Sequence, residues 1–96
     1  MSMYVVIFDR DPAVTHRAFQ DAFVAHPRIY NWWHYIKSAY LIRTDLNASE
    51  LSDHYNRCAR QTGISKTHLV IKLDPSDRQG MLVRDAWAWI RKNSDV

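Results

Sequence analysis

The sequence predicts an α+β domain with a four-stranded antiparallel sheet, two helices on one face of that sheet and a C-terminal helix. Three observations indicate this fold. An unbroken apolar run, Met3–Phe8, opens the chain, and two segments with helical spacing of apolar residues each follow strand-like segments. The resulting order is strand, helix, strand, strand, helix, strand, which is the βαββαβ arrangement. Because 96 residues have room for one modest core, we expect a single domain over residues 1–96.

Composition indicates a globular protein with more aromatic surface than one small core can hide. Apolar residues make up 47% of the chain, which also has four Trp, five Tyr and three Phe residues. We therefore expect part of this surface to meet a partner or a second copy. The formal charge of +3 is compatible with nucleic-acid binding but does not by itself indicate it. Cys58 is the single cysteine, and no apolar run is long enough to cross a membrane, so we expect a cytoplasmic protein without membrane association.

The first strand and helix surround the carboxylate of Asp9. Met3–Phe8 shows no polar alternation, which is typical of a central strand buried on both faces. Asp11 is a good helix N-cap and Pro12 a good first helical residue, so the first helix is predicted to begin there and to end before Pro27. Its apolar stripe comprises Val14, Ala18, Phe19, Ala22, Phe23 and Ala25.

The next two strands form an aromatic hairpin. Residues 29–36 and 39–44 are β-rich, and Lys37-Ser38 supplies the turn between them. Strand alternation predicts two faces for the first of these strands. One face has Tyr30, Trp32, His34 and Ile36, and the other has Ile29, Asn31, Trp33 and Tyr35.

The remaining elements complete the pattern. Asn47 or Ser49 is predicted to cap a second helix, which Gly63 closes. Residues 67–73 follow as a strand, and a short amphipathic helix over residues 82–92 needs a surface to lie on.

Asp9 is the candidate catalytic and metal-binding residue. A carboxylate at a strand end can bind Mg²⁺, and a two-fold dimer would bring two copies together. The alternative is that Asp9 only closes a loop. Arg10, beside Asp9, and Lys37 and Arg43 in the hairpin are the candidate phosphate-binding residues.

Three segments carry a resemblance to known groups of proteins. Tyr4–Asp9 resembles the opening strand of the nuclease-like subunit of the CRISPR adaptation complex and of the virulence-associated protein D ribonucleases. Trp32–Ile42 and Asp85–Ile90 are more similar to small bacterial proteins with a Trp-Trp-His-Tyr hairpin. The resemblance implies a ferredoxin-like homodimer in which Asp9 faces its symmetry mate and can hold Mg²⁺. The arginine-rich helix start of the CRISPR subunit is represented only by Arg10 and Arg17.

Three interpretations of function follow. The leading one is a small dimeric protein associated with RNA or DNA, with Asp9 serving a Mg²⁺-dependent phosphodiesterase activity. The second is a non-catalytic dimeric interaction module. The third is a dimeric α+β barrel that encloses a small organic ligand, which an apolar pocket with an inward His34 or His68 would favour.

Overall fold

The structure of the protein is a computed structural model that describes residues 2–94. Seven elements follow one another along the chain in the predicted order. They are β1 (Ser2–Phe8), α1 (Arg17–Val24), β2 (Ile29–Ile36), β3 (Ala39–Thr44), α2 (Ala48–Thr62), β4 (His68–Leu73) and α3 (Arg84–Asn93).

The four strands form one antiparallel sheet in the order β2-β3-β1-β4. β1 is central, pairing Ile7 with Ala39 of β3 and with Leu69 of β4. The predicted ferredoxin-like βαββαβ arrangement, with a C-terminal helix added, is therefore confirmed.

The core lies between one face of the sheet and the helices α1 and α2. Alternate residues of β1 and β3 point into it, and the first helix contributes two stacked phenylalanine rings, with centroids 5.3 Å apart. Tyr55 of α2 is fully buried against these rings. The main members of this core are Tyr4, Val6, Phe8, Phe19, Phe23, Tyr40, Ile42, Leu51 and Tyr55.

The predicted start of α1 is wrong. The helix begins at Arg17, and residues 9–16 form a loop. Asp11 does not cap a helix, because its Oδ1 accepts a hydrogen bond of 2.9 Å from the N–H of Ala13 and its carbonyl accepts one from Val14. These bonds close a turn around Pro12, which is the local alternative that Asp side chains offer to a helix.

The predicted C-terminal end of α2 is confirmed, and Asn47 is the N-cap of the two residues that were predicted for that position. The side chain of Asn47 accepts a 2.8 Å hydrogen bond from the N–H of Glu50, whose carboxylate accepts one of 3.0 Å from the N–H of Asn47. This reciprocal pair is a capping box. At the other end Gly63 takes a left-handed conformation with φ of 72°, which glycine adopts without strain.

The predicted alternation of β2 fails at its beginning. Ile29 was predicted to share a face with Asn31 and Trp33, but it lies opposite Thr44 and is buried in the core. The pairing with β3 shifts between Ile29 and Asn31, and such a bulge moves the preceding side chains to the other face. Beyond it, Trp32 and His34 lie on the helix side, as their contacts with Tyr40 indicate.

The helix α3 lies on the other face of the same sheet. Trp33 donates its indole N–H to the carbonyl of Ala86 at 3.3 Å, and Ile90 lines a cavity of about 250 Å³ with Met3 and Leu41. α3 covers only part of this face, so Met3 is buried whereas Ile7 is 45% exposed. The expectation that β1 is buried on both faces is therefore correct only for its first half.

Candidate functional site

Asp9 continues the central strand by one residue and presents an exposed carboxylate. Its N–H donates to the carbonyl of Thr67 at 3.1 Å, and the preceding N–H, of Phe8, donates to Ser38 at 3.0 Å. The backbone is thus held from both sides. The carboxylate itself makes no hydrogen bond or ion pair with residues 2–94, so in this part of the chain it does not close a loop.

Two of the three candidate phosphate-binding residues lie at the same end of the sheet. Nη1 of Arg10 donates a 3.1 Å hydrogen bond to the carbonyl of Lys37, and His34 Nε2 lies 3.0 Å from the same carbonyl. The carbonyl of Lys37 therefore joins the loop after β1 to the hairpin turn. The side chain of Lys37 is exposed, so a second positive charge is available at this end of the sheet.

Arg43 is not part of this cluster. It lies opposite Met3, near the start of β1, whereas Asp9 follows the end of that strand. Its Nη1 is 3.4 Å from Oδ1 of Asn93 in α3, and its Nε is buried without a partner among residues 2–94. In this position Arg43 helps to dock α3, and the predicted triad of basic residues is reduced to two.

A small cavity of about 120 Å³ lies between the loop 9–16 and the end of α2. Asp9, Asp11 and His16 contribute to its wall. His16 is 5% exposed, and its Nδ1 has no partner among the described residues. Burial, followed by the nearby positive charge of Arg10 and the ring of His34, lowers the pKa of His16. The neutral form of His16 is therefore favoured at this end of the sheet.

The donors at this end suit a cation that takes few protein ligands. Among residues 2–94, no three His, Cys, Asp or Glu side chains are grouped so as to hold a metal ion. Mg²⁺ commonly binds one or two carboxylates and completes its coordination with water and phosphate oxygens. The single free carboxylate of Asp9 fits that requirement when a second copy or a substrate supplies further oxygens.

The charge of Asp9 also affects Tyr55, a residue of the core. Burial, together with the negative charge of Asp9, raises the pKa of Tyr55 to about 12. The Tyr55 hydroxyl is buried without a hydrogen-bond partner among residues 2–94. Tyr55 therefore remains a neutral phenol and is not a proton donor or acceptor at ordinary pH.

An exposed apolar patch lies on the open face of the sheet, near the end of β1. Ile7, Leu69 and Ile71 are 45%, 54% and 45% exposed, and Ile7 lies directly opposite Leu69 on the neighbouring strand. Asp9 follows Ile7 by two residues in the chain, one residue beyond the end of β1. We call these three side chains the sheet patch. Contiguous exposed apolar surface of this kind is typical of an interaction site.

The two histidines whose inward position would favour a ligand pocket both stack on aromatic rings of the core. His34 stacks on Tyr40 with ring centroids 4.3 Å apart, and His68 stacks on Tyr55 at 4.1 Å. Both rings are therefore on the helix side of the sheet. The apolar cavity under α3 is on the opposite side and has no histidine in its wall. His34 lines a different cavity, of about 340 Å³, together with Trp32, Trp33 and Trp89, so the barrel-type interpretation stays a prediction.

One contact between chemically reactive side chains was missed by the sequence analysis. Oγ of Ser52 lies 2.7 Å from Nε2 of His68. The two residues are 16 positions apart, on α2 and on the edge strand β4, and no spacing rule joins them. Only the docking of the helix on the strand creates this pair.

Comparisons of the chain with protein-family models, with curated proteins and with solved structures found no match. The resemblance to the nuclease-like proteins therefore stays a prediction. In residues 2–94 no helix has the length and apolar character needed to span a bilayer.

Proposed function

We propose that this protein is a small homodimer that associates with RNA or DNA and acts as a Mg²⁺-dependent phosphodiesterase. The observation that carries the proposal is the exposed carboxylate of Asp9, which is held at the end of the central strand without a protein partner among residues 2–94. Arg10 and Lys37 lie at the same end of the sheet, joined through the Lys37 carbonyl.

Asp9, Lys37 and Arg10 would each have a separate role in this activity. Asp9 would hold Mg²⁺, which supplies positive charge to the phosphate and activates water. The exposed side chain of Lys37 would bind a backbone phosphate. The guanidinium of Arg10 is fixed by its bond to the hairpin turn, so it would position the same backbone while losing little side-chain entropy.

The sheet patch supports the dimer. A two-fold axis through Ile7 and Leu69 would bury apolar side chains that are about half exposed in one chain. The same axis would bring the ends of the two β1 strands, and with them the two Asp9 residues, towards each other, because Asp9 follows Ile7 by two residues in the chain. Two carboxylates are within the one or two that proteins usually contribute to a Mg²⁺ site.

The test is cleavage of labelled single-stranded and duplex RNA and DNA, with Mg²⁺ and with EDTA. The wild type is compared with Asp9→Asn, which keeps the shape of the side chain and removes its charge. Asp53→Asn, at an exposed carboxylate of α2, is the matched control. We expect Mg²⁺-dependent cleavage by the wild type and by Asp53→Asn, and a loss of at least about 100-fold in Asp9→Asn.

A non-catalytic interaction module is the second candidate, and the sheet patch favours it as well. The patch needs a partner whether or not Asp9 has a catalytic role. A well-folded dimer that cleaves no substrate, or equal cleavage by wild type and Asp9→Asn, would contradict the phosphodiesterase. A dimer without cleavage would support the interaction module.

A further inference from the structure

Ser52 and His68 form a hydrogen-bonded chain that ends on a backbone carbonyl. Nδ1 of His68 lies 2.6 Å from the carbonyl oxygen of Lys66, and Nε2 lies 2.7 Å from Oγ of Ser52. A carbonyl oxygen can only accept, so Nδ1 carries the proton. Nε2 of the neutral ring then accepts, and the Ser52 hydroxyl donates to it. A serine that donates to a histidine whose other nitrogen is held by a third group has the arrangement of an activated nucleophile.

The imidazole is also held from its face. The ring of Tyr55 lies parallel to it, with centroids 4.1 Å apart and an interplanar angle of 19°. Tyr55 is fully buried, whereas Ser52 and His68 are both only partly buried. The base is therefore fixed on its protein side while the hydroxyl remains within reach of a small reagent.

Free backbone donors lie next to this pair. The N–H of Asp9 donates to Thr67, so the ladder to β1 uses alternate residues of this strand, namely 67, 69, 71 and 73. The N–H groups of His68 and Val70 consequently point to the outer edge of β4, which no strand within residues 2–94 pairs. Such donors can bind a carbonyl oxygen as negative charge develops on it.

We propose that Ser52 and His68 are a nucleophile and its general base for acyl transfer from carboxylic esters, an activity separate from that at Asp9. Oγ of Ser52 attacks the ester carbonyl carbon while its proton passes to Nε2 of His68. The bond to the leaving alcohol then breaks, and His68 returns the proton to that alcohol. Water hydrolyses the acyl group on Ser52 by the same route, which releases the acid and restores the hydroxyl.

The test uses the full chain and two reagents, a fluorophosphonate that phosphonylates activated serines and p-nitrophenyl acetate. Intact-mass and peptide mapping should find one phosphonyl adduct on the folded wild type, at Ser52. Ser52→Ala should remove the adduct, and alanine is well tolerated within a helix. Ser49→Ala, at an exposed serine in the first turn of α2, is the matched control and should label as the wild type does.

His68→Gln tests whether His68 acts as a general base or only holds the Ser52 side chain in position. A general base contributes about 100-fold or more to such a step, so we expect labelling and acetate release to slow by that factor in His68→Gln. Circular dichroism checks that each variant is folded, and an unfolded His68→Gln is replaced by His68→Asn. The proposal is overturned if the folded wild type forms no adduct, if the adduct persists in Ser52→Ala, or if the folded His68 variant labels at the wild-type rate.

Discussion

The indole N–H of Trp89 donates a 2.9 Å hydrogen bond to Oδ1 of Asn31, and this contact ties the C-terminal helix to the edge strand β2. The amide nitrogen of Asn31 in turn donates to Oδ1 of Asn93 at 3.1 Å. Asn93 is almost completely buried, and its own amide donates to the carbonyl of Trp89 at 2.8 Å. Both ends of α3 are thus fixed to its own sheet, Trp33 holding the first turn and Asn93 the last.

The first prediction concerns this network. Asn93→Ala should lower the free energy of unfolding by about 1–3 kcal/mol, because it leaves the amide of Asn31 without its partner in a part-buried position. Lys92→Ala, at the exposed neighbouring position, should change it by less than about 0.5 kcal/mol. Urea unfolding followed by tryptophan fluorescence measures both. Equal stabilities of the two variants would mean that α3 is not held by this network.

The second prediction compares the two glycines. Gly63 has a φ of 72° and open space where a Cβ would lie, so Gly63→Ala introduces backbone strain alone. We expect it to lower the free energy of unfolding by about 1 kcal/mol. Gly80 has no positive φ, and an added Cβ would meet only Trp87 at 3.9 Å, so Gly80→Ala should be neutral or slightly stabilising. The reverse order would show that the C-terminal cap of α2 is dispensable.

The third prediction is a loss of stability in mild acid. Burial is the main cause that lowers the pKa of His54, although its Nε2 donates to the carbonyl of Phe23 at 2.8 Å. The unfolded chain has the ordinary histidine pKa of about 6.5, so it binds a proton first as the pH falls. The contribution of neutral His54 to the free energy of unfolding is therefore fully present above about pH 6.5 and is lost as the pH falls below that value.

Urea unfolding at pH 7.5, 6.5 and 5.5 should show a free energy of unfolding that decreases as the pH falls. His16 should add to this decrease, because burial lowers its pKa as well. His54→Gln removes one of the two groups, so the decrease with falling pH should become smaller. An unchanged pH dependence in that variant would assign the effect to other groups.

The fourth prediction concerns the dimer. Leu69→Glu places a charge at the centre of the sheet patch, where Leu69 is 54% exposed in one chain. Two such charges would face each other across a two-fold axis, so we expect the variant to be a monomer while the wild type is a dimer. Val14→Glu, at a 40% exposed position in the loop 9–16, is the control and should remain a dimer. Light scattering after gel filtration distinguishes the states, and a monomeric wild type would contradict the proposed interface.

Local patterns were reliable wherever a short stretch of sequence decides the outcome. The hairpin strands, the turn at Lys37-Ser38 and the C-terminal end of α2 were predicted to the residue, and the start of α2 was narrowed to two candidate caps. Asn47 and Glu50 make a capping box from their own side chains, and Gly63 is required by a single backbone angle. The prediction that Asp11 caps a helix was wrong because a turn and a helix start use the same residue type, and only the surrounding packing selects between them.

The order of the elements along the chain and the position of Asp9 at the end of β1 followed from the apolar runs and the turn residues between them, which depend on neighbouring residues alone. The separation of Arg43 from Asp9, the move of Ile29 into the core and the contact between Ser52 and His68 depended on how the strands register and where the helices dock. Such contacts join residues far apart in the chain, so their geometry is decided by packing in three dimensions, which a bulge of one residue can change.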